Sequence, residues 1–289
     1  MWQKLGNMNK ETNYIETMKN KKINYTILRP GGNDTCLIQT DGLILLSDER
    51  REINNYFQNA YPNVEQVGFV NCQTPELMMA GGEFCGNATR SAAFLILDGK
   101  PGEVLIKASG VKQKLKAGVN SDGEAYAQMP ILPTTSSITA DGSDFLVELE
   151  GITHFVDFTK NATDGLSTDE IKLKAMQAIK EKGLDSFPAA GVIYVAQDNE
   201  SLRIEPVVYV RDLDTLYYET ACGSGTTALG MILALQKGKS VKNIAILQPS
   251  GMSIKVSVDF EGTTFGYTQI QGAIELLKKG SARTLEGNI

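Results

Sequence analysis

The chain carries one pattern twice. The segment CGNATRSAAFLIL at 85–97 resembles CGSGTTALGMILAL at 222–235, with Cys85 and Cys222 lying 137 residues apart. Each segment is Cys-Gly, a small polar residue, then small and apolar residues with helical character. The downstream stretches match as well: VLIKASGVKQKLKAGV (104–119) parallels IAILQPSGMSIKVSVD (244–259), alternating strands broken at Ser109-Gly110 and at Ser250-Gly251. Upstream, YTILRPGGNDTCLIQ (25–39) matches FLVELEGITHFVDF (145–158), and each is followed by a polar helix. The first helix is expected over Asp48 to Tyr61, the second over Ser167 to Lys182 with Ser167 or Thr168 as N-cap. The next strands are VEQVGFV (64–70) and GVIYVAQ (191–197). The chain therefore reads as an α/β (α+β) protein of two pseudo-symmetric domains, with a cleft between them that receives both cysteines.

A cysteine at a helix start has chemical consequences. Unpaired backbone N–H groups and the helix dipole favour negative charge there, and a free thiol near pKa 8.5 can fall to about 3.5–7.5 in such a place. Gly86, Gly223 and Gly225 permit close approach of backbone to a ligand, and the same N–H groups can hold a carboxylate. Two thiols placed symmetrically suit a nearly symmetric reaction, in which a proton leaves one face of a carbon and another arrives on the opposite face. Cys36 and Cys72 lie within or beside strands without a Gly-rich turn and read as small buried hydrophobes.

Composition excludes several other classes. A net charge of −6 and pI near 5.1 argue against a nucleic-acid surface, which needs clustered Lys and Arg. The basic runs at Lys19 to Lys22 and Lys172 to Lys182 read as solvated faces. No apolar run approaches the roughly 18 residues that span a membrane, and Met1 to Lys22 lacks the apolar stretch of a secretory signal, so a cytoplasmic location is expected. The cysteines show no CxxC spacing, and with His154 as the one histidine a Cys/His zinc site is not expected.

The stretches MMAGGEFCGNATRSAA (78–93) and YYETACGSGTTALG (217–230) resemble the paired cysteine motifs of the diaminopimelate epimerase superfamily, which works without pyridoxal phosphate. The resemblance spans nearly the whole chain after about Ile23. It is closest to the histidine racemase branch, which includes the enzyme supplying D-histidine to opine-type metallophore synthesis. The carrying motifs are RPGGN (29–33), EQVGF (65–69), GEFCGNATRS (82–91), EPVVYV (205–210), ETACGSGT (219–226) and QPSG (248–251). Diaminopimelate epimerases carry Glu-Arg-Gly before the second motif, where this chain has Arg211 to Leu216, so a monocarboxylate amino acid fits better.

The resemblance implies two domains, 23–134 and 135–268, each a β-barrel-like sheet around a central helix. It implies an N-terminal extension at 1–22 and a C-terminal segment at 269–289 packing back on the first domain. It implies a racemase that uses no cofactor and no metal, with Cys85 and Cys222 as acid and base and L- and D-histidine as the substrate pair. Asn33, Asn87 and Ser224 would line the site, and backbone N–H groups of Gly86, Asn87, Gly223 and Ser224 would bind the substrate carboxylate. Glu65 occupies the position of a functional glutamate in that branch, and Glu219 would orient the substrate or tune Cys222. His154, in GITHFV, keeps the Gly and His of a Gly-Asn-Pro-His segment of diaminopimelate epimerases and is added to the substrate-binding set. Arg90 is read as structural.

Partners reduce to a small amino acid, with no nucleic acid and no membrane; a homodimer is compatible with this. Other readings are diaminopimelate epimerase, proline racemase or hydroxyproline epimerase, whose first motif is Cys-Gly-His, and a glutamate-using isomerase of the phenazine type. A pyridoxal-dependent racemase is disfavoured because no lysine has a Gly-rich setting. The non-enzyme reading is a hinged amino-acid-binding protein.

Overall fold

A computed structural model describes residues 22–43, 45–198, 201–211 and 214–283. The N-terminal extension before residue 22 and the last residues of the C-terminal segment lie outside this range.

The first half begins with β1 (Lys22–Pro30) and β2 (Asp34–Gln39), which form an antiparallel pair. Alternation alone predicts one continuous strand over 25–39. The chain instead reverses at Gly31 and Gly32, whose φ of +77° and +119° no extended strand accommodates. Helix α1 (Ser47–Ala60) crosses to β3 (Val64–Asn71), which pairs in parallel with β2. Next come β4 (Glu76–Met79), helix α2 (Gly86–Ile96), β5 (Gly102–Ala108), β6 (Leu115–Val119) and β7 (Ala125–Gln128), the last three antiparallel.

The second half opens with β8 (Ile138–Asp141), β9 (Asp144–Leu149) and β10 (Ile152–Asp157). The stretch 145–158 is likewise two strands, turned at Gly151 with φ +88°. Helix α3 (Thr168–Glu181) crosses to β11 (Ala189–Asp198), which pairs in parallel with β10. Ser167 is the N-cap of α3, in a capping box with Glu170. Strands β12 (Ser201–Val210) and β13 (Thr215–Tyr218) lead to helix α4 (Gly223–Lys237). Then β14 (Val241–Leu247), β15 (Ser253–Glu261) and β16 (Thr264–Gly272) run antiparallel. Strand β17 (Ile274–Arg283) returns to pair with β1, and β16 pairs with β7, so the halves share sheet at two places.

The fold is mixed α+β, dominated by sheet, with four α-helices among the described residues. Helices α1 and α3 are amphipathic and bury only Ile53 and Phe57, and Ile171, Ala175 and Ile179. Helices α2 and α4 are apolar and small-residued, and both are enclosed: α2 is buried continuously from Gly86 to Ala93. Small residues are what allow this; Gly230 lies so close to Val256 that an added Cβ would stand 2.7 Å from it. Gly238, in the left-handed region, ends α4. No helix of the described residues is long and apolar enough to cross a membrane.

Gly110 and Gly251 occupy matching places in the two Ser-Gly turns, with φ of +76° and +82°. Beyond that backbone strain they differ: a Cβ on Gly110 would stand 2.4 Å from the Phe84 nitrogen, while one on Gly251 meets nothing within 4 Å. Gly251→Ala is expected to lose roughly 1–2 kcal/mol, and Gly110→Ala clearly more, in urea unfolding of the two variants side by side.

Candidate active site

Two cysteine-capped helices define the site. Cys85 caps α2 and Cys222 caps α4, each in extended conformation, with φ/ψ of −134°/114° and −116°/108°. Each sulfur accepts from the backbone N–H three residues on: Ala88 N at 3.3 Å and Gly225 N at 3.2 Å. Each cysteine carbonyl accepts from the threonine four residues on, Thr89 or Thr226, both at 2.7 Å. The local reason is sequence: a Cys-Gly step lets the helix begin abruptly, and sulfur takes the place of a capping oxygen.

The helix starts face each other. A Cβ on Gly86 would lie 3.0 Å from Ile270 Cδ1, and one on Gly223 would lie 2.8 Å from that same atom. The Cβ position at Gly223 is also 3.8 Å from Asn87 Oδ1. The Asn87 amide spans the gap, its Nδ2 donating to Asn33 Oδ1 at 3.2 Å and to the Ala221 carbonyl at 3.1 Å. The RPGGN loop is tied to the QPSG turn by Ser250, which donates from Oγ to the Gly31 carbonyl at 2.7 Å and from its N–H to the Thr220 carbonyl at 3.1 Å.

Acidic groups surround the thiols. Glu219 is hydrogen-bonded to the Cys222 thiol, and its charge also acts on Cys85. Burial, with Glu65 adding, raises the Glu219 carboxyl to about 7 against the hydrogen bond from Cys222. Glu65 is raised by burial and accepts a hydrogen bond from the Thr220 hydroxyl. Ser224 Oγ stands 3.4 Å from Cys222 Sγ.

The thiols themselves depart from the sequence expectation of a lowered pKa. Burial pushes Cys85 up to about 12, with Glu219 and Glu83 adding and the Ala88 and Asn87 N–H groups opposing. Cys222 is pushed well above its ordinary range, by burial first and then by the Glu219 charge. Desolvation of a thiolate outweighs the helix N-terminus here.

Asn33, Glu65, Gly86, Asn87, Glu219, Gly223 and Ser224 thus connect with Cys85 and Cys222 in one cluster. His154 stands apart. It lies mid-strand on β10 opposite Gly191 and is fully buried, and burial lowers it to about 3. Neither ring nitrogen has a hydrogen-bond partner among the described residues. Its ring occupies the space that a side chain at Gly191 would need, with Nδ1 2.3 Å from the Cβ position.

Two glutamines that sequence reasoning missed complete the surroundings of the thiols. Gln66, from EQVGF, accepts the Cys85 S–H at 2.8 Å. Gln248, from QPSG, accepts from Cys222 N at 2.9 Å and donates to Thr226 Oγ1 and the Ile246 carbonyl. Nothing in the sequence distinguishes a buried glutamine from a solvated one.

Because Glu219 is held protonated to a higher pH in the fold than in the unfolded chain, its contribution to stability is full below about pH 4.5 and is lost as pH rises through about 7. Glu219→Gln removes that loss. The variant is expected to exceed the parent in stability at pH 8 by on the order of 2 kcal/mol, with the gap closing at pH 5. Equal pH dependence of the two urea midpoints would refute this environment for Glu219.

Comparison with known proteins agrees across the chain. The family model described as the histidine racemase CntK N-terminal domain matches residues 20–283. A histidine racemase of Fusobacterium nucleatum subsp. nucleatum is 30% identical over 274 residues, covering 89% of this chain and 96% of that protein. One from Staphylococcus aureus is 25% identical over 282 residues, covering 92% and 99%. Among solved structures, a PhzF-family phenazine biosynthesis protein of Bacillus anthracis has a TM-score of 0.62 at 13% identity over 91% of this chain and 99% of that one, a likeness of fold. With the matched model spanning the whole described core and both cysteine-capped helices, the chain belongs to the histidine racemase family, a family of isomerases.

Proposed function

We propose that this protein interconverts L- and D-histidine without a cofactor, with Cys85 and Cys222 as the acid–base pair. The carrying observation is the pair of matching cysteine caps whose helix starts converge on Ile270 and whose thiols share the Glu219 charge. The substrate carboxylate is taken by the N–H groups of Gly86, Asn87, Gly223 and Ser224, which have no partner within their helices. Asn33 and the side chains of Asn87 and Ser224 complete the polar wall. The α-carbon then lies between the sulfurs.

That placement sets the chemistry. One sulfur, as thiolate, takes the α-proton and becomes a thiol; the C–H electron pair passes into the carboxylate-conjugated carbanion. The second thiol delivers its proton to the opposite face and becomes the thiolate. Protons and charge balance, and the enzyme is left poised for the reverse direction. The raised thiols set a requirement: forming a thiolate among Glu65, Glu83 and Glu219 is helped by a cation besides Arg90, whose charge already acts on Cys85. The substrate's α-ammonium brings one into the site, and a basic side chain brings another to Glu65 or Glu219. Histidine is compatible with this, since its imidazole can take a proton near neutral pH.

We also read the chain as two pseudo-symmetric domains, 23–134 and 135–268, with the segment from 269 returning to the first. In this reading each sheet wraps a buried helix, α2 or α4. Their enclosure and the parallel pairs β2–β3 and β10–β11 support it.

Chiral chromatography is expected to show L-histidine moving to a 1:1 mixture with no added cofactor or metal. A tenfold preference in kcat/KM for diaminopimelate would overturn the substrate assignment. Cys85→Ala and Cys222→Ala should each abolish racemisation, while Cys36→Ala stays within a few fold. More than a tenth of activity in either of the first two would sink the two-thiol scheme. In D2O, early D-product should carry deuterium at the α-carbon while remaining L-substrate stays protiated; early product rich in protium would point to a single base.

A further inference from the structure

Arg90 is the largest fully buried side chain among the described residues, one helical turn beyond Cys85. A buried guanidinium is costly unless its donors are used. Nε donates to Asn87 Oδ1 at 3.1 Å and Nη1 donates to the Gly272 carbonyl at 3.1 Å, while Nη2 has no hydrogen-bond partner among the described residues. Room for the group comes from two glycines: a Cβ on Gly31 would stand 3.0 Å from Nη2 and one on Gly272 3.2 Å from Nη1.

Arginine has donors only, and that fixes more than itself. An amide beside it must turn its oxygen toward the guanidinium, so Asn87 cannot flip. Its Nδ2 then faces outward, donating to the Ala221 carbonyl and to Asn33 Oδ1. Asn33 is fixed in turn. Its oxygen is committed to Asn87, and its Nδ2, buried with the residue 1% exposed, is left as a donor without a partner among the described residues. Each amide alone could present either end; the chain of three cannot.

We propose that Arg90 is a positioning residue: through Asn87 it orients the Asn33 amide so that Nδ2 is held as a donor for the substrate carboxylate. The inference rests on the racemase reading for what the donor meets. The orientation itself rests on the hydrogen-bond chain. Arg90 is hydrogen-bonded to neither sulfur and takes no proton; its charge lies within coulombic reach of Cys85, while its hydrogen bonds act on binding through Asn87.

The test is a split between KM and kcat in folded variants. Arg90→Met removes the donors and keeps the bulk. KM for L-histidine is expected to rise at least tenfold while kcat changes less than threefold. Asn33→Ala should raise KM similarly, and Arg90→Met should add little in the Asn33→Ala background, because both act through one donor. An unchanged KM, or effects that multiply in the double variant, overturns the proposal. If Arg90→Met does not fold, Asn87→Asp serves: it keeps an acceptor for Arg90, removes the donor to Asn33, and should give the same rise in KM.

The reading on which this rests is judged separately. A parent protein that racemises no amino acid refutes the proposed function by itself. The orientation is then decided by the side-chain amide resonances of selectively labelled asparagines. Adding L-histidine should shift the Asn33 amide in the parent and leave it unmoved in Asn87→Asp, and no shift in the parent overturns the positioning role.

Discussion

Two helix N-termini brought face to face are the constraint on which the rest of the site depends. Each carries roughly half a positive charge on unpaired N–H groups, so their approach is unfavourable unless anionic or accepting groups lie between and around them. The sequence meets this in three ways. Glycine at the first helical position of both helices lets the backbones close on one atom of Ile270. Sulfur caps accept the third N–H of each helix. The half-buried carboxyls of Glu65 and Glu219 and the more exposed Glu83 stand around them. Desolvation still dominates for these acids and raises all three, with hydrogen bonds from Thr220 and Cys222 opposing it at Glu65 and Glu219.

That balance also sets the state of the thiols. Burial and the neighbouring carboxyls act in one direction, the N–H groups in the other, and burial dominates for both sulfurs. A site so arranged favours the protonated form of both thiols.

Relative placement of the sulfurs depends on contacts far apart in sequence. Strand pairs β7–β16 and β1–β17 stitch the halves. Near the site, Asn87 reaches the Ala221 carbonyl, Thr220 reaches Glu65, and Ser250 reaches Gly31. These are polar, directional contacts beside the cysteine caps. They tie the two helix starts to each other and to the loops beside them.

The sequence by itself determined the local elements and the chemistry at their ends. Repeated Cys-Gly steps before apolar runs mark α2 and α4, and the polar helices are legible to within a residue, Ser47–Ala60 against 48–61 and Thr168–Glu181 against 167–182. These features are encoded within a few residues, through caps, periodicity and glycine. The strands of 25–39 and 145–158 read as joined because alternation continues through their turns; only backbone with positive φ at Gly31, Gly32 and Gly151 divides them. Tertiary structure decided what depends on partners distant in the chain: Gln66 and Gln248 at the cysteines, the burial that lifts the thiols and Glu219, and the seclusion of His154 against Gly191. A hydrogen-bond partner or a desolvation energy is a property of the surroundings, and no residue's own identity carries it.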